Sequence, residues 1–298
     1  MRANRRSENG LFLAVALTVF WGAAIALWIS AEQAYSAPSK KANVVAIGGS
    51  VTEIVYALGQ EHRLVARDTT STYPPQAQDL PDVGYVRALS PEGVLSVSPE
   101  LIITEGGAGP PEAVEVLEAA QIEMVTVPNG YSREAVVAKI RAVGEALDVA
   151  TKANALADRI DADLRAAEAK SAAVTDAPKR VLFILSTQGG RILASGTGTA
   201  ADGIIRMAGG QNAMTQFEGY KPVTAEAIAA AAPDVVLMMD RDGNHSVEDD
   251  VLFSMPAMQT TPAAANDAII RMNGLLLLGF GPRTAEAVTQ LNRQLYDG

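Results

Sequence analysis

Tyr85 follows a glycine and precedes an arginine by two residues, in the stretch DVGYVRAL, Asp82 to Leu89. The chain holds only 7 Tyr, 6 Phe and 2 Trp among 298 residues, so a phenol in a loop rich in Pro and Gly invites a chemical question. A phenol has a pKa of about 10 and is neutral in water near pH 7. A hard Fe(III) centre can hold it as phenolate, and a nearby guanidinium favours that anion further. Arg87 offers one guanidinium, and an arginine from elsewhere in the fold could offer another. The plainer alternative is a half-buried loop aromatic. The residues by themselves leave both readings open.

Other chemistries find less support. The chain has two histidines, His62 after GQE and His245 in DRDGNHSVEDD, and they do not stand at metal-ligand spacing. It has no cysteine nucleophile, no G-x-S-x-G elbow and no H-E-x-x-H. GTGTAADG at 196–203 lacks the third glycine of a dinucleotide loop and reads as a turn and a helix start. AIGGSVTE opens a helix after a strand, as an anion site or a tight turn does. The expectation is a binding protein, not an enzyme.

The elements that must position Tyr85 alternate. KANVVAIGGSVTEIVYALG is a strand, a glycine turn and a helix, RLVARD is a second strand, and SPEGVLSVSPELIITEGG is a short helix and a buried strand. Apolar runs of four or five residues between helical patterns predict a parallel α/β sheet. The second half repeats this grammar: SPEGVLSVSPELII (Ser90–Ile103) matches TAEAIAAAAPDVVL (Thr224–Leu237) at an offset of 134, which sets Glu92 against Glu226 and Pro99 against Pro233. Between the halves, Ser132 to Ala173 is strongly helical in composition, with Ser132 as cap and Glu134 in the first turn. One helix of about 40 residues would run roughly 60 Å; Gly144 and Asp148 are the candidate breaks. The predicted organisation is a signal peptide over 1–36, an N-terminal lobe over 37–131, a linking helix over 132–173 and a C-terminal lobe over 174–298, with ligand held in the cleft beside the strand ends.

The first residues differ from the rest. Arg2, Arg5 and Arg6 precede the uncharged run Leu11 to Ser30, and Ala34 and Ser36 supply the small residues of a cleavage site after Ser36. This reads as a secretory signal peptide, with an uncleaved membrane anchor as the alternative because the run is close to spanning length. Removing residues 1–36 leaves 21 basic and 32 acidic residues, net −11. Without a basic patch rich in aromatics, nucleic acid is excluded as a partner. An exported chain with no cysteine has neither disulfide nor lipidated cysteine, so a freely diffusing periplasmic monomer is expected.

VVAIGGSVTEIVYALG, LVARDTTSTYPPQAQDLPDVGYVRALSPEGVLSVSPELII, GTAADGIIRMAGGQNA, GYKPVTAEAIAAAAPDVVLMM and NGLLLLGFGPRTAEAV resemble the periplasmic haem-binding proteins of bacterial ABC haem importers, over about residues 43–296. The DVGY-x-R context belongs to the haem branch; the frame is shared with binders of corrinoids and ferric siderophores, which stand as the alternative ligands. The resemblance implies an α/β fold of two Rossmann-like lobes joined by a long backbone helix (a class III periplasmic binding protein), with ferric haem b in the cleft. It implies Tyr85 as axial ligand. Arg241, in LMMDRDGN, matches by position a family arginine that reaches toward the phenol, and Arg87 is a second candidate for that task or for a propionate. The flanking Asp240 and Asp242 depart from the family pattern, in which a hydroxyl residue often precedes the arginine and glycines follow. Arg67 and Lys221 are candidate propionate partners, and His245 a candidate second ligand, since some relatives take two haems. Glu92 and Glu226 match acidic residues that dock onto arginines of the permease, which works with its ATPase at the inner membrane.

Overall fold

The computed structural model describes residues 43–240 and 247–297. The signal-peptide reading of residues 1–36, and the candidates Arg241 and His245, lie outside the described residues. A strand covered on both faces needs an unbroken apolar run, and β1 (Val44–Ile47) has all four residues buried. It leads into α1 (Gly49–Ala57), β2 (Leu64–Arg67), the two-residue strands β3 (Gly84–Tyr85) and β4 (Ala88–Leu89), and α2 (Pro91–Leu95). Then come β5 (Leu101–Glu105), α3 (Pro111–Ala119) and β6 (Glu123–Val127). The sheet runs β2-β1-β5-β6, parallel throughout. β3 and β4 stand apart as an antiparallel ribbon.

The linking segment departs from a single rod. It forms α4 (Arg133–Ala146) and α5 (Ala150–Ala172), with Asp148 between them at φ 57. The left-handed residue turns the chain back, and the two helices pack as a hairpin: Arg133 bonds Asp161 at 2.5 Å and Glu168 at 3.2 Å, and Arg141 bonds Asp158 at 2.9 Å. Gly144 serves this contact and is not itself the break, since a Cβ there would lie 2.0 Å from that of Ala153. Among the described residues the longest helix is therefore α5, 23 residues or about 35 Å at 1.5 Å per residue.

The C-terminal lobe contains β7 (Arg180–Ser186), β8 (Ile192–Ser195), α6 (Ala200–Met207), β9 (Gln211–Asn212), β10 (Tyr220–Val223), α7 (Ala225–Ala231) and β11 (Val235–Asp240). It continues with α8 (Asp249–Ser254), α9 (Pro262–Ala265), β12 (Ile269–Asn273), α10 (Gly274–Leu278) and α11 (Thr284–Tyr296). Its sheet runs β10-β8-β7-β11-β12, with β9 beside the start of β7. β7, β11 and β12 are parallel, as the sequence pattern predicts, while β8 and β10 are antiparallel. The reason is the connection over 187–191, too short for a crossover, so β8 must return beside β7. β10 is an edge strand and there tolerates Pro222.

The internal echo survives in three dimensions. Ser90 caps α2 by accepting from Gly93 N–H, and Thr224 caps α7 by accepting from Ala227 N–H, 134 residues on. β5 and β11 begin at Leu101 and Val235, again 134 apart. Yet the lobes are not independent. One apolar cluster runs from Val44 and Ile103 through Ile140, Leu156 and Leu164 to Phe183, Leu237 and Leu291. The linking helices are thus the middle layer of a core that both sheets share.

Candidate functional site

The β3–β4 ribbon carries Tyr85. Its side chains alternate: Val83, Val86 and Leu89 are buried in the N-terminal core, while Tyr85, Arg87 and Ala88 are exposed. Tyr85 pairs with Ala88, so Val86 and Arg87 form the turn. Gly84, at φ 103, takes a backbone conformation that a residue with a side chain would resist. The ribbon is tied on several sides. Asp82 accepts from Gly84 N–H at 2.8 Å and from Thr69 Oγ1 at 3.1 Å. Leu89 N–H donates to Gly109 O at 2.7 Å, and Gly109 N–H to Val86 O at 2.9 Å. The result is a phenol on a braced platform, 44% exposed, whose side chain makes no hydrogen bond or ring contact among the described residues.

Arg67 belongs to the brace. Its Nη1 donates to Asp82 Oδ2 at 2.6 Å and to Asp68 O at 3.1 Å, and its side chain is only 12% exposed. It fixes the loop that leads to Gly84 and is held away from free solvent, so its placement favours support of the platform over contact with a ligand carboxylate. Arg87 is exposed at the turn, and its charge reaches Tyr220 on the opposite lobe. Lys221, beside Tyr220, is exposed with its ammonium 5.8 Å from the Phe217 ring centroid. Across the lobes, the structure relates Arg87 of the ribbon to Tyr220 of the opposite lobe.

Tyr220 was not singled out in the sequence. Burial pushes its pKa up; the Thr199 hydroxyl, the Ala201 N–H at the start of α6 and the Arg87 charge pull the other way without prevailing. Its ring meets Phe183 edge-on at 6.2 Å, and Tyr131 meets Phe280 in the same way at 5.3 Å. Burial also raises the Tyr56 pKa. Tyr296 donates to Gly209 O at 2.8 Å. Tyr85, at 44%, is the more exposed of the two exposed tyrosines among the described residues, Tyr73 being the other at 39%.

Glu92 and Glu226 are both exposed in the first turns of their helices, α2 and α7. Its own N–H and the Thr224 hydroxyl hold the Glu226 carboxyl below the usual range. Among the described residues, no group of three or more His, Asp or Glu side chains is placed to hold a metal ion.

Glu53, Tyr73, Lys139 and Arg283 join the lobes and were also missed. Glu53 and Lys139 are buried, and burial raises the Glu53 pKa against the pull of Arg283 and lowers that of Lys139 against the pull of Glu105. The available signal was a broken pattern: Lys139 sits among Val136, Val137, Ile140 and Val143 on the buried face of α4, and Gly49–Val55 of α1 is buried on every side.

Two α/β sheets joined by a helical hairpin in one shared core are the frame of a two-lobed binding protein. The chain belongs to the periplasmic binding protein family, whose model matches residues 44–274. The periplasmic haem-binding protein BhuT, in its complex with two haems, is 44% identical and superposes with a TM-score of 0.81, covering 86% of this chain and 98% of that one. The periplasmic haem-binding protein RhuT from Roseiflexus sp. RS-1, in apo form, is 36% identical with a TM-score of 0.82 over the same shares. The uncharacterized ABC transporter substrate-binding lipoprotein YvrC of Bacillus subtilis (strain 168) is 26% identical over 255 residues, 85% of this chain and 79% of that one. The family and these neighbours are binding proteins, in agreement with the reading of the sequence.

Proposed function

We propose that this chain captures ferric haem b between its lobes in the periplasm and delivers it to an inner-membrane ABC permease. The observation that carries the reading is the exposed Tyr85 on its braced ribbon, in a chain 44% and 36% identical to two periplasmic haem-binding proteins. Tyr85 supplies one Fe–O bond as phenolate, and the remaining hold on the macrocycle is apolar packing. Arg87 stabilises the phenolate or takes a propionate, and Lys221 takes a propionate. Arg241 is the C-terminal candidate for the guanidinium beside Tyr85, and His245 for a second ligand. Arg67 acts as a support behind the ligand. The protein travels as a free monomer after removal of residues 1–36. Glu92 and Glu226, one per lobe, meet arginines of the permease, whose ATPase drives uptake.

An absorption titration of the apo-protein with hemin, wild type beside Tyr85→Phe, tests the reading. The wild type should saturate with a high-spin ferric spectrum and a charge-transfer band that the variant lacks. Equal, weak titrations would overturn it and leave a corrinoid or ferric siderophore as the ligand, neither of which needs the phenolate bond.

A further inference from the structure

The segment after β12 crosses from its own lobe and seats on the first turn of α1. Arg283 donates its backbone N–H and its Nε to Glu53 Oε1, each at 3.1 Å, and its Nη2 to Glu53 Oε2 at 3.1 Å. The same guanidinium lies 3.5 Å from the centroid of the Tyr73 ring. Lys139 Nζ donates to Ser50 Oγ at 2.9 Å and to Gly279 O at 3.4 Å, with Glu105 Oε1 at 3.8 Å. There is no slack between the surfaces: a Cβ at Gly49 would lie 2.4 Å from Leu275 Cδ1, and one at Gly281 would lie 3.3 Å from Ser50 Cβ.

This contact differs from the shared core at the linking helices in two ways. It is ionic, and it lies at a rim that solvent reaches, since Tyr73 is 39% and the Arg283 side chain 21% exposed. Such a contact can loosen at the rim while Leu277 and Phe280 of the same segment stay in the shared core. We propose that Glu53, Arg283 and Tyr73, backed by Lys139, form a clasp that sets the separation of the two lobes, with the linking helices as the hinge. A bidentate guanidinium stacked on a ring is a geometry that lysine cannot copy, so the clasp has one strong closed state. The other charges around it are Glu286, which lies near Glu53, and Glu105, which faces Lys139. The proposal concerns the ligand-free protein and stands whether or not haem is the ligand.

The chain has no cysteine, so two introduced thiols carry spin labels without competition. Val116 on α3 and Val251 on α8 are each 51% exposed and lie on opposite lobes. Double electron–electron resonance between labels at V116C and V251C, in apo-protein, reads the separation. The neutral pair Glu53→Gln with Arg283→Met avoids leaving a buried charge unpaired. It should keep its helical circular dichroism while the distance distribution becomes roughly twofold wider, as expected when one side of a hinge is released. A distribution of unchanged width would overturn the proposal. If the double variant loses its fold, Arg283→Lys decides at the same labels: broadening supports the clasp and an unchanged width overturns it.

Discussion

Gly84–Tyr85 and Gly219–Tyr220 are the same dipeptide in two lobes. Both glycines take positive φ, 103 and 80, and both pairs lie a few residues ahead of a capped helix with a first-turn glutamate. Their tyrosines have opposite fates. Tyr85 sits on a ribbon outside the main sheet and stays exposed. Tyr220 begins β10, which pairs with β8 in the six-stranded sheet, and its ring lies against Phe183. Membership of the sheet decides burial, and burial pushes the Tyr220 pKa up. A repeated local sequence has thus yielded one exposed phenol and one half-buried phenol.

The sharpest way to break this comparison is to remove each oxygen. Tyr85→Phe should weaken hemin binding about a hundredfold, roughly 3 kcal/mol. Tyr220→Phe should cost no more than about tenfold, the scale of a hydrogen bond. Equal losses in parallel titrations would mean that both phenols reach the ligand. The carboxylates proposed for docking come next. Glu92→Lys and Glu226→Lys should each slow haem delivery to the permease in proteoliposomes by about tenfold, with similar effects because the two stand at equivalent helix positions. A defect from only one would break the symmetry.

Much of this was legible in the sequence, for identifiable reasons. β1 and β7 are unbroken apolar runs that fit only a covered strand, and Ser90, Ser132 and Thr224 announce helix starts through cap chemistry that is local. Asp148 was visible as a break because few residues tolerate a left-handed conformation. Tyr85 was visible because it follows a glycine in a loop. The clasp was not, because a buried Glu or Lys reads locally as a solvated helix charge until the partner, 230 residues away for Glu53, is known. The antiparallel β8 and β10 were missed because the pattern shows that a strand exists and not which way it runs.

Smaller effects sharpen the comparison further. Ser90→Ala and Thr224→Ala each remove the acceptor of a cap hydrogen bond and should each cost about 1 kcal/mol in denaturant titrations. The smallest effect belongs to Asp234, whose carboxylate accepts from the Arg180 N–H, Nε and Nη2 at 2.8, 3.1 and 2.8 Å. The hydrogen bond from the Arg180 side chain holds its carboxyl below the usual carboxylate range. A carboxyl whose pKa is lowered on folding stabilises the fold above its unfolded pKa and loses that contribution as pH falls through the folded one. Asp234→Asn should therefore lower the melting temperature by about a degree or two at pH 7. Melts repeated at acid pH should show the gap closing.

The apolar cluster that threads both sheets through α4 and α5 has a consequence for biogenesis. A chain released N-terminus first presents Val136, Ile140 and Val143 before Phe183, Leu237 and Leu291 exist to complete the cluster. The leading half cannot finish folding by itself, and its uncovered face is a substrate for holding chaperones until the trailing half arrives. Calorimetry should then find one cooperative transition in place of two, and fragments severed at Asp148 should be recovered only as a reassembled pair.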